Sequence, residues 1–406
     1  MIARQVGERK RRPTPLEVGS RDEPGDSQSG GHGQFDDRPL LVFWETTKAC
    51  DLACLHCRAS AQPEPGLDEI STAEGCELID ELAAIGRPRP ILILTGGDCL
   101  KRPDIFELVA YARLRSVPVA ISPSVSPQFT TKSLEKLRSL GVKTVSLSLD
   151  GAAAATHDTV RGIAGHFDDT LRAVARLQRH GYTVQINTTV MAVNLMELAD
   201  VAVLMHKLGV DVWEVFFLIT VGRGTGVVAT VPQENEEVCN FLADASRYGF
   251  TIRTVEAPFF RRVTAGGHRG AMDGFSSAPI GALHSRLRDR LIRQLGLPTA
   301  PVRAPSAATR DGKGIIFIAA NGDVYPSGFM PLRLGSIRNQ KLVDIYRDHS
   351  VLKQIRAAAF SGACGDCDYA QLCGGSRARS FASSGDPLGS DPGCILVADS
   401  VVASSK

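Results

Sequence analysis

Residues 41–57 read LVFWETTKACDLACLHC, a short apolar run followed by three closely spaced cysteines. The run LVFWE is rich in the β-branched and aromatic residues that favour a buried strand. Cys50, Cys54 and Cys57 then lie in the loop that leaves this strand. Three thiolates from one loop suit three irons of a cubane 4Fe-4S cluster and leave the fourth iron open. A zinc site is the alternative that this spacing leaves open.

The run at 41–45 is the first of six strand–helix units that the hydrophobic periodicity predicts downstream. Predicted strands cover 41–45, 91–94, 117–122, 144–149, 183–190 and 212–218, and predicted helices cover 72–85, 103–115, 131–140, 167–180, 195–208 and 234–248. Right-handed crossovers between such units produce a parallel sheet, and six units are too few to close an eight-fold barrel. The sequence therefore predicts an α/β fold, a partial (β/α)6 TIM-like barrel with its reactive groups at the C-terminal ends of the strands.

Composition limits the class of protein. The 406 residues are 43% hydrophobic and 22% charged, which is typical of a globular chain. A net charge of +2 gives no dominant attraction to nucleic acid or to a membrane surface. No apolar run reaches the roughly 18 to 20 residues of a membrane span, and the first residues lack the apolar core expected of a secretory signal. We expect a cytoplasmic protein without nucleic-acid or membrane partners, in which ten cysteines indicate metal binding rather than disulfides.

The chain is predicted to divide into four parts. Its first residues are rich in Gly, Ser and Asp and poor in large apolar residues, which predicts a flexible tail. The predicted parts are a tail at 1–36, the barrel at 37–255, a basic linker region at 256–304, and a small cysteine-rich α+β domain at 305–399. In the linker, residues 281–297 are basic and amphipathic, which fits either packing with a solvated face or contact with an anionic substrate. In the last part, Asn321-Gly322 predicts a hairpin turn.

A second group of cysteines lies near the C-terminus, at Cys364, Cys367, Cys373 and Cys394. Four thiols are enough to saturate either a cubane cluster or a structural zinc ion. Because all coordination positions would be filled by protein, we expect this site to transfer electrons or to support the fold.

The C-x3-C-x2-C loop after the first strand resembles the signature of the radical S-adenosylmethionine (AdoMet) superfamily. The resemblance implies that the amino and carboxylate groups of AdoMet chelate the open iron. One electron from the reduced cluster then cleaves AdoMet into methionine and a 5′-deoxyadenosyl radical, which abstracts hydrogen from a substrate. His56 stands where relatives usually have an aromatic ring against the adenine, so we expect it to pack there, with zinc ligation as a minor alternative.

Further AdoMet contacts follow from the same resemblance. Gly96, Gly97 and Asp98 resemble the family's Gly-Gly-Glu motif, whose backbone and acid receive the methionine ammonium group, although Asp98 has a shorter side chain than Glu. Arg161, in the segment HDTVRG, is expected to face the AdoMet carboxylate. The remaining expected contacts are polar residues at later strand ends, Ser122, Ser124, Ser148, Asp150 and Asn187. For each residue, an ordinary loop or capping hydrogen bond is the alternative.

The C-terminal part resembles the SPASM extension of radical enzymes that modify peptides and tetrapyrroles and carry auxiliary clusters. The segments that carry this resemblance are GDVYPSGFMPLRLGSI at 322–337 and LCGGSRARS at 372–380. Ser327 and Ser376 stand where that pattern often has cysteines for a further cluster, and serine is a poor iron ligand. One auxiliary 4Fe-4S cluster is therefore predicted, with a zinc ribbon as the alternative.

Together the resemblances cover residues 40 to 396 and imply a radical AdoMet enzyme. Its implied substrate is a haem-type tetrapyrrole or a ribosomal precursor peptide, and its implied reductant is a low-potential donor such as ferredoxin or flavodoxin. The segments at 373–380 and 385–394 favour the tetrapyrrole, whose propionates the arginines between 261 and 310 could meet. The alternative is a non-enzymatic iron-sulfur or zinc protein for electron transfer or structural support.

Overall fold

The computed structural model describes residues 35–267, 281–305 and 308–398. Its centre is a sheet in which seven successive strands lie side by side, parallel and in chain order. These strands are β1 (Leu41–Glu45), β2 (Ile91–Thr95), β3 (Val119–Ile121), β4 (Thr144–Ser148), β5 (Thr183–Val190), β6 (Val212–Phe217) and β7 (Thr251–Val255). This order confirms the predicted α/β architecture of a partial barrel, and β7 adds a strand that the sequence did not predict.

Helices connect the strands of the barrel. They are α1 (Thr72–Ala84), α2 (Ile105–Leu114), α3 (Thr131–Ser139), α4 (Ala154–Arg161), α5 (His166–Arg179), α6 (Leu198–Leu208) and α7 (Pro232–Ala245), with short 3-10 turns at Cys99–Lys101, Leu195–Glu197 and Gly222–Gly226. Helix α1 begins after Ser71, whose hydroxyl accepts from Glu74 N at 3.3 Å while Ser71 N donates to the Glu74 carboxylate at 2.7 Å. This capping box satisfies backbone donors that a helix start leaves unpaired.

The apolar side chains of the strands form the main core against these helices. Val42 and Trp44 on β1 and Leu92 on β2 are buried completely. Gly75 allows α1 to come close to Trp44, since a Cβ added at Gly75 would lie 2.7 Å from the indole ring. Burial of a large apolar side chain contributes about 1.5–3 kcal/mol, so this layer accounts for much of the stability of the barrel.

The C-terminal part extends the same sheet. It contains β8 (Arg310–Asp311), β9 (Gly314–Ile318), β10 (Asp323–Tyr325) and β11 (Gly335–Ser336), followed by α10 (Leu342–Asp348), α11 (Ser350–Ala357), α12 (Gly362–Gly365) and α13 (Arg377–Ser384). Strand β9 pairs in parallel with β1, and β10 pairs antiparallel with β9. The hairpin predicted at Asn321-Gly322 is therefore present, and it lies on the open edge of the barrel.

Two predicted segments differ in the structure. The predicted tail ended at residue 36, yet Phe35 is buried and its carbonyl accepts a hydrogen bond from Tyr346 at 2.7 Å; residues 1–34 lie outside the described residues. The predicted linker contains α8 (Phe260–Gly267) and α9 (Ala282–Leu295), of which α9 packs against α6 and α7. Leu287 and Leu291 of α9 are buried there, so packing explains its amphipathic pattern. Residues 268–280 of the linker lie outside the described residues.

The longest helices within residues 35–267, 281–305 and 308–398 have 14 residues. No helix in these ranges combines the length and the apolar composition that crossing a bilayer requires.

Candidate functional site

The loop after β1 brings its three cysteines together at the C-terminal ends of the strands. Cys50 and Cys54 are buried with Leu52 in one small cluster, and Cys57 packs against it. Backbone hydrogen bonds fix the loop, because Cys50 N donates to Gln62 O at 2.7 Å and Leu55 N donates to Val160 O at 2.9 Å. The thiols thus share one enclosed position, which suits a polynuclear cluster with ligands from a single loop.

Two glycines at the end of β2 allow the cysteine loop to lie close to this strand. A Cβ at Gly97 would be 2.3 Å from Ala49 O, and a Cβ at Gly96, where φ is +144°, would be 2.4 Å from Thr47 O. Gly97 N donates to Thr47 O at 2.8 Å. The sequence led us to expect close approach of a ligand at these glycines; in the structure, the backbone of the loop makes that close approach.

Asp98 is completely buried and bonded within the protein. One carboxylate oxygen accepts from Leu100 N at 3.1 Å and from Ser124 N at 3.3 Å, and the other accepts from the Ser126 hydroxyl at 2.6 Å. Burial raises the pKa of Asp98. The carboxylate therefore holds the loop after β3, and its contact with the AdoMet ammonium group remains a prediction.

The predicted serines and Asn187 lie at neighbouring strand ends. The Ser124 hydroxyl donates to Gly97 O at 3.3 Å and lies 3.6 Å from the Cys50 sulfur. Ser122 follows β3, where its N–H donates to Leu94 O. Ser148 is in register with Asn187 across β4 and β5, and Asn187 accepts from Gln185 at 2.9 Å. These side chains are half-buried, and the Ser124 hydroxyl is the one that lies beside a cysteine of the loop after β1 in the described part of the chain.

Asp150 and Arg161 form a buried ion pair beside the cysteines. Arg161 Nη2 lies 2.7 Å from Asp150 Oδ2, and Arg161 Nη1 donates to the Cys54 sulfur at 3.4 Å. Burial disfavours ionisation of Asp150, but the charges of Arg161 and His56 outweigh it and hold its pKa below the ordinary value. His56 Nε2 lies 3.6 Å from the same carboxylate oxygen, and burial lowers the pKa of His56. The packing of His56 on adenine stays a prediction.

Arg223 was not predicted from the sequence, although its side chain also holds the cysteine loop in place. Its Nε donates to Cys54 O at 2.9 Å and its Nη1 donates to Ala61 O at 3.0 Å. Gly222, with φ of +56°, allows this approach, since a Cβ there would lie 2.4 Å from Arg58 O. The glycine-rich stretch GRGTG at 222–226, in the loop that follows β6, was the available signal.

A buried pair of histidines, which was also not predicted from the sequence, joins the loop after β4 to the loop after β3. Asp150 N donates to His157 Nδ1 at 3.0 Å, and His157 Nε2 lies 2.8 Å from His166 Nδ1. His166 Nε2 lies 3.1 Å from Val125 O. Because a carbonyl only accepts, His166 donates to Val125 and His157 donates to His166, which fixes both rings as neutral tautomers. Burial lowers the pKa of His157 to about 3, in agreement with a neutral ring.

The C-terminal cysteines line one cavity. Cys364, Cys367, Cys373 and Cys394 surround it together with Gly374 and Gly375. N–H groups point at the sulfurs: Asp391 N to Cys364 at 3.4 Å, Tyr369 N to Cys367 at 3.4 Å and Gly375 N to Cys373 at 3.5 Å. Burial raises the pKa of Cys373 to about 12, so a nearby cation is needed to hold its thiolate. Four thiols with N–H donors around one cavity fit an iron-sulfur cluster.

In the described ranges, no three His, Cys, Asp or Glu side chains are placed to hold a single metal ion. The ligands of a cubane surround a body of iron and sulfide atoms rather than one ion.

The arginines proposed for propionates are bound to protein groups. Arg262 pairs with Glu236, and Arg290 Nε lies 2.6 Å from Asp200. Arg310 donates to the carbonyls of Ala370 and Gln371. Arg262, Arg290 and Arg310 are thus engaged by protein groups, Arg269 lies outside the described residues, and contact of this group of arginines with a propionate stays a prediction.

Comparison with known proteins agrees with this geometry. Residues 44–205 match the radical SAM superfamily, and residues 310–368 match SPASM, an iron-sulfur cluster-binding domain. The SPASM match ends before Cys373 and Cys394. The chain belongs to the radical SAM superfamily; it is a radical AdoMet enzyme that binds a 4Fe-4S cluster and AdoMet in its barrel and auxiliary iron-sulfur in its SPASM domain.

Individual relatives show which known proteins the chain is similar to over most of its length. The chain is 34% identical to the AdoMet-dependent heme synthase of Nitratidesulfovibrio vulgaris, over 87% of this chain and 91% of that protein. It is 30% identical to the mycofactocin maturase of Mycobacterium tuberculosis, over 88% of this chain and 83% of that protein. Among solved structures, Streptococcus suis SuiB bound to AdoMet shares the fold, with a TM-score of 0.63 at 14% identity over 89% of this chain and 77% of that one.

Proposed function

We propose that this radical AdoMet enzyme modifies a haem-type tetrapyrrole that carries propionates. The observation that carries the proposal is the position of Arg58, the residue directly after Cys57. Its guanidinium carbon lies 4.4 Å from the ring centre of Phe317 on β9, and its Nη1 lies 3.3 Å from the Glu45 carboxylate. An arginine fixed beside the cysteine loop is suited to a substrate carboxylate, which it can bind through two parallel hydrogen bonds.

Phe317, the ring under Arg58, has an aromatic neighbour, and a second pair of aromatic rings joins β6 to the loop after β10. Phe317 and Tyr325 lie with their ring centres 6.3 Å apart, and Phe216 on β6 lies 6.0 Å from Phe329. Flat apolar rings favour a planar macrocycle through stacking and burial. An acidic peptide would also attract Arg58, so the greater identity with a heme synthase than with a peptide maturase supports the tetrapyrrole.

The proposed roles of the site residues follow from their contacts. Cys50, Cys54 and Cys57 would hold the AdoMet-binding cluster, and Cys364, Cys367, Cys373 and Cys394 would hold one auxiliary cluster. When bound, the reduced cluster and AdoMet supply one-electron cleavage of the AdoMet sulfur–carbon bond and hydrogen abstraction from the substrate. The hydrogen bond from Arg161 to Cys54 would set a fixed positive charge beside the cluster.

The polar residues at the strand ends would bind AdoMet. Gly96 and Gly97 would present backbone groups, and Asp98 its carboxylate, to the methionine end. The other proposed contacts are Ser122, Ser124, Ser148, Asp150, Asn187 and His56. Support comes from two contacts with residues of the cysteine loop. The Ser124 hydroxyl lies 3.6 Å from the Cys50 sulfur, and His56 Nε2 lies 3.6 Å from the Asp150 carboxylate.

The electron donor and the compartment complete the proposal. A low-potential donor such as ferredoxin or flavodoxin would reduce the cluster. A cytoplasmic location is supported by the ten cysteines, all of which are free of disulfides, because a reducing compartment keeps thiols available as cluster ligands.

The test uses the full chain, reconstituted with iron and sulfide without oxygen and then reduced with dithionite. AdoMet is added with iron coproporphyrin, with haem, or with a ribosomal precursor peptide. We expect 5′-deoxyadenosine to accumulate in step with loss of mass from the iron coproporphyrin. Arg58→Gln should weaken porphyrin binding and leave substrate-free AdoMet cleavage unchanged. Modification of the peptide with no change in any porphyrin would overturn the proposal.

A further inference from the structure

One face of the barrel sheet packs against helices, and the other face lines the interior of the barrel. Trp213 on β6 and Ile252 on β7 belong to the main core, where neither has any exposed surface. Successive side chains of a strand point to opposite faces, so the next residues, Glu214 and Arg253, lie on the interior face. Both are half-buried. The interior face of β6 and β7 therefore carries one acid and one cation.

The interior face differs in polarity between its two halves. On one side it is apolar, because Phe317 on β9 is in register with Phe43 on β1, which is in register with Ile93 on β2. On the other side, four polar residues lie in register across β4, β5, β6 and β7. They are Ser148, Asn187, Glu214 and Arg253. An apolar half beside a polar half suits a ligand with a flat apolar body and charged groups at its edge.

The two halves face one interior because the sheet curves. Phe216, on the interior face of β6, has its ring centre 6.0 Å from that of Phe329, in the loop after β10. Strands β6 and β10 are near opposite ends of the strand order, so this contact brings the ends of the sheet together. Arg58, which lies over Phe317 on β9, and Arg253 on β7 are thus cations at two sides of the same space.

The guanidinium of Arg253 is not engaged by the protein. Within the described parts of the chain, it forms no ion pair and donates no hydrogen bond. Glu214, in register beside it, instead accepts from Gln185 Nε2 at 2.8 Å. Burial raises the pKa of Glu214, although the charge of Arg253 and the hydrogen bond from Gln185 oppose this rise. A half-buried guanidinium has five donors and has lost part of its water, so an anion would stabilise it.

We propose that Arg253 binds a carboxylate of the substrate inside the barrel. A guanidinium can hold a carboxylate through two parallel hydrogen bonds, which fixes its orientation as well as its position. The assignment rests on the proposed function for the identity of the anion, a propionate of a haem-type tetrapyrrole. Arg58 would bind a second carboxylate at the β1 side, and the apolar half would pack against the macrocycle. The hydrogen bond from Gln185 keeps Glu214 from occupying Arg253.

The test measures equilibrium binding to the reconstituted full chain without AdoMet. One probe is metal-free coproporphyrin, which fluoresces, and the other is its tetramethyl ester, which has no charged carboxylate. Arg253→Gln should weaken binding of coproporphyrin about tenfold, as expected for loss of hydrogen bonds between charged groups, and leave binding of the ester unchanged. Arg253→Lys should keep most of the affinity, because the positive charge remains.

Arg303→Gln is the matched control. Arg303 lies beside β7, since its carbonyl accepts from Ile252 N at 2.9 Å, and its side chain donates to Gly249 O at 2.9 Å rather than facing the interior. This variant should bind both probes as the wild type does. Melting temperatures show whether each variant folds, and Arg253→Met takes the place of Arg253→Gln if that variant does not.

Two results would overturn the assignment. One is equal affinity of the wild type and Arg253→Gln for coproporphyrin, and the other is an equal loss for coproporphyrin and its ester. If the wild type binds neither probe, the proposed function fails instead. The same variants are then measured with an acidic precursor peptide and with a version whose Asp and Glu are amides. Weaker binding of the acidic peptide alone in Arg253→Gln would support a carboxylate site, and unchanged binding would exclude it.

Discussion

The guanidinium of Arg161 donates a hydrogen bond to the sulfur of Cys54 across 3.4 Å, joining α4 to the cysteine loop. The same guanidinium lies 2.7 Å from Asp150, a residue at the end of β4. One cation therefore connects a proposed cluster ligand to a strand end. Changes at Arg161 should affect both the cluster and the barrel edge.

Arg161→Gln should lower stability by about 3–5 kcal/mol, because it leaves Asp150 buried without its counter-charge. It should also weaken the effect of AdoMet on the electron paramagnetic resonance signal of the N-terminal cluster, and leave the signal of the auxiliary cluster unchanged. Urea unfolding and spectroscopy of the reduced protein measure the two effects. Arg172→Gln is the control, since Arg172 forms an exposed pair with Asp169. Equal losses in both variants would contradict the role given to Arg161.

Cys54→Ala should remove the N-terminal cluster and leave the auxiliary cluster in place. Iron should fall from about eight to about four atoms per chain, as two cubanes become one. AdoMet cleavage should stop. Cys76→Ala is the matched control, because Cys76 lies in α1, outside both groups of cysteines. Loss of all iron in Cys54→Ala would show that the two clusters do not assemble independently.

Gly97→Ala should displace the cysteine loop, since its Cβ would lie 2.3 Å from Ala49 O. Overpacking of this kind costs about 1–3 kcal/mol. We expect a lower melting temperature and a higher KM for AdoMet. Gly226→Ala should be tolerated, because no atom lies within 4 Å of its added Cβ. Similar behaviour of the two variants would show that the close approach at Gly97 is unimportant.

The buried pair of His157 and His166 should make the fold sensitive to acid. The pKa of His157 is about 3 in the folded protein, below the value of about 6.5 in an unfolded chain. Its contribution is therefore present above pH 6.5 and is lost as pH falls towards 3. His157→Asn should reduce this loss, because an amide can accept from Asp150 N without titrating. Melting temperatures between pH 7 and pH 4 measure the difference, and parallel curves for the two proteins would contradict it.

Much of the barrel was predictable because the spacing of apolar residues along each strand and each helix is typical of that kind of element. Helix α1 ends within one residue of its predicted limit, and β5 matches its prediction fully. Strand β7 was missed because TIRTV is only five residues long and has two large apolar residues, Ile252 and Val255, three positions apart. Arg253 in that strand is half-buried, so the run lacks the continuous apolar composition used to recognise the other strands.

The cysteines could be recognised from spacing, but the network that holds them could not. Arg223 reaches Cys54 from a loop far along the chain, and Asp98 is bonded to Ser124 and Ser126 rather than left open. Such contacts depend on which strands become neighbours. A buried histidine such as His157 has no local pattern that separates it from an exposed one, so its bond to Asp150 N emerged only from the fold.

The parallel pairing of β9 with β1 has a consequence for how the chain can be divided. A fragment that ends before β9 would leave the backbone donors and acceptors of β1 unpaired along one side, with Phe43 beside them. Exposed strand edges of this kind recruit other chains and aggregate. The barrel therefore depends on its C-terminal extension to cover the edge of β1. During synthesis, β1 can form this pairing only after residues 315–318 of β9 have been made.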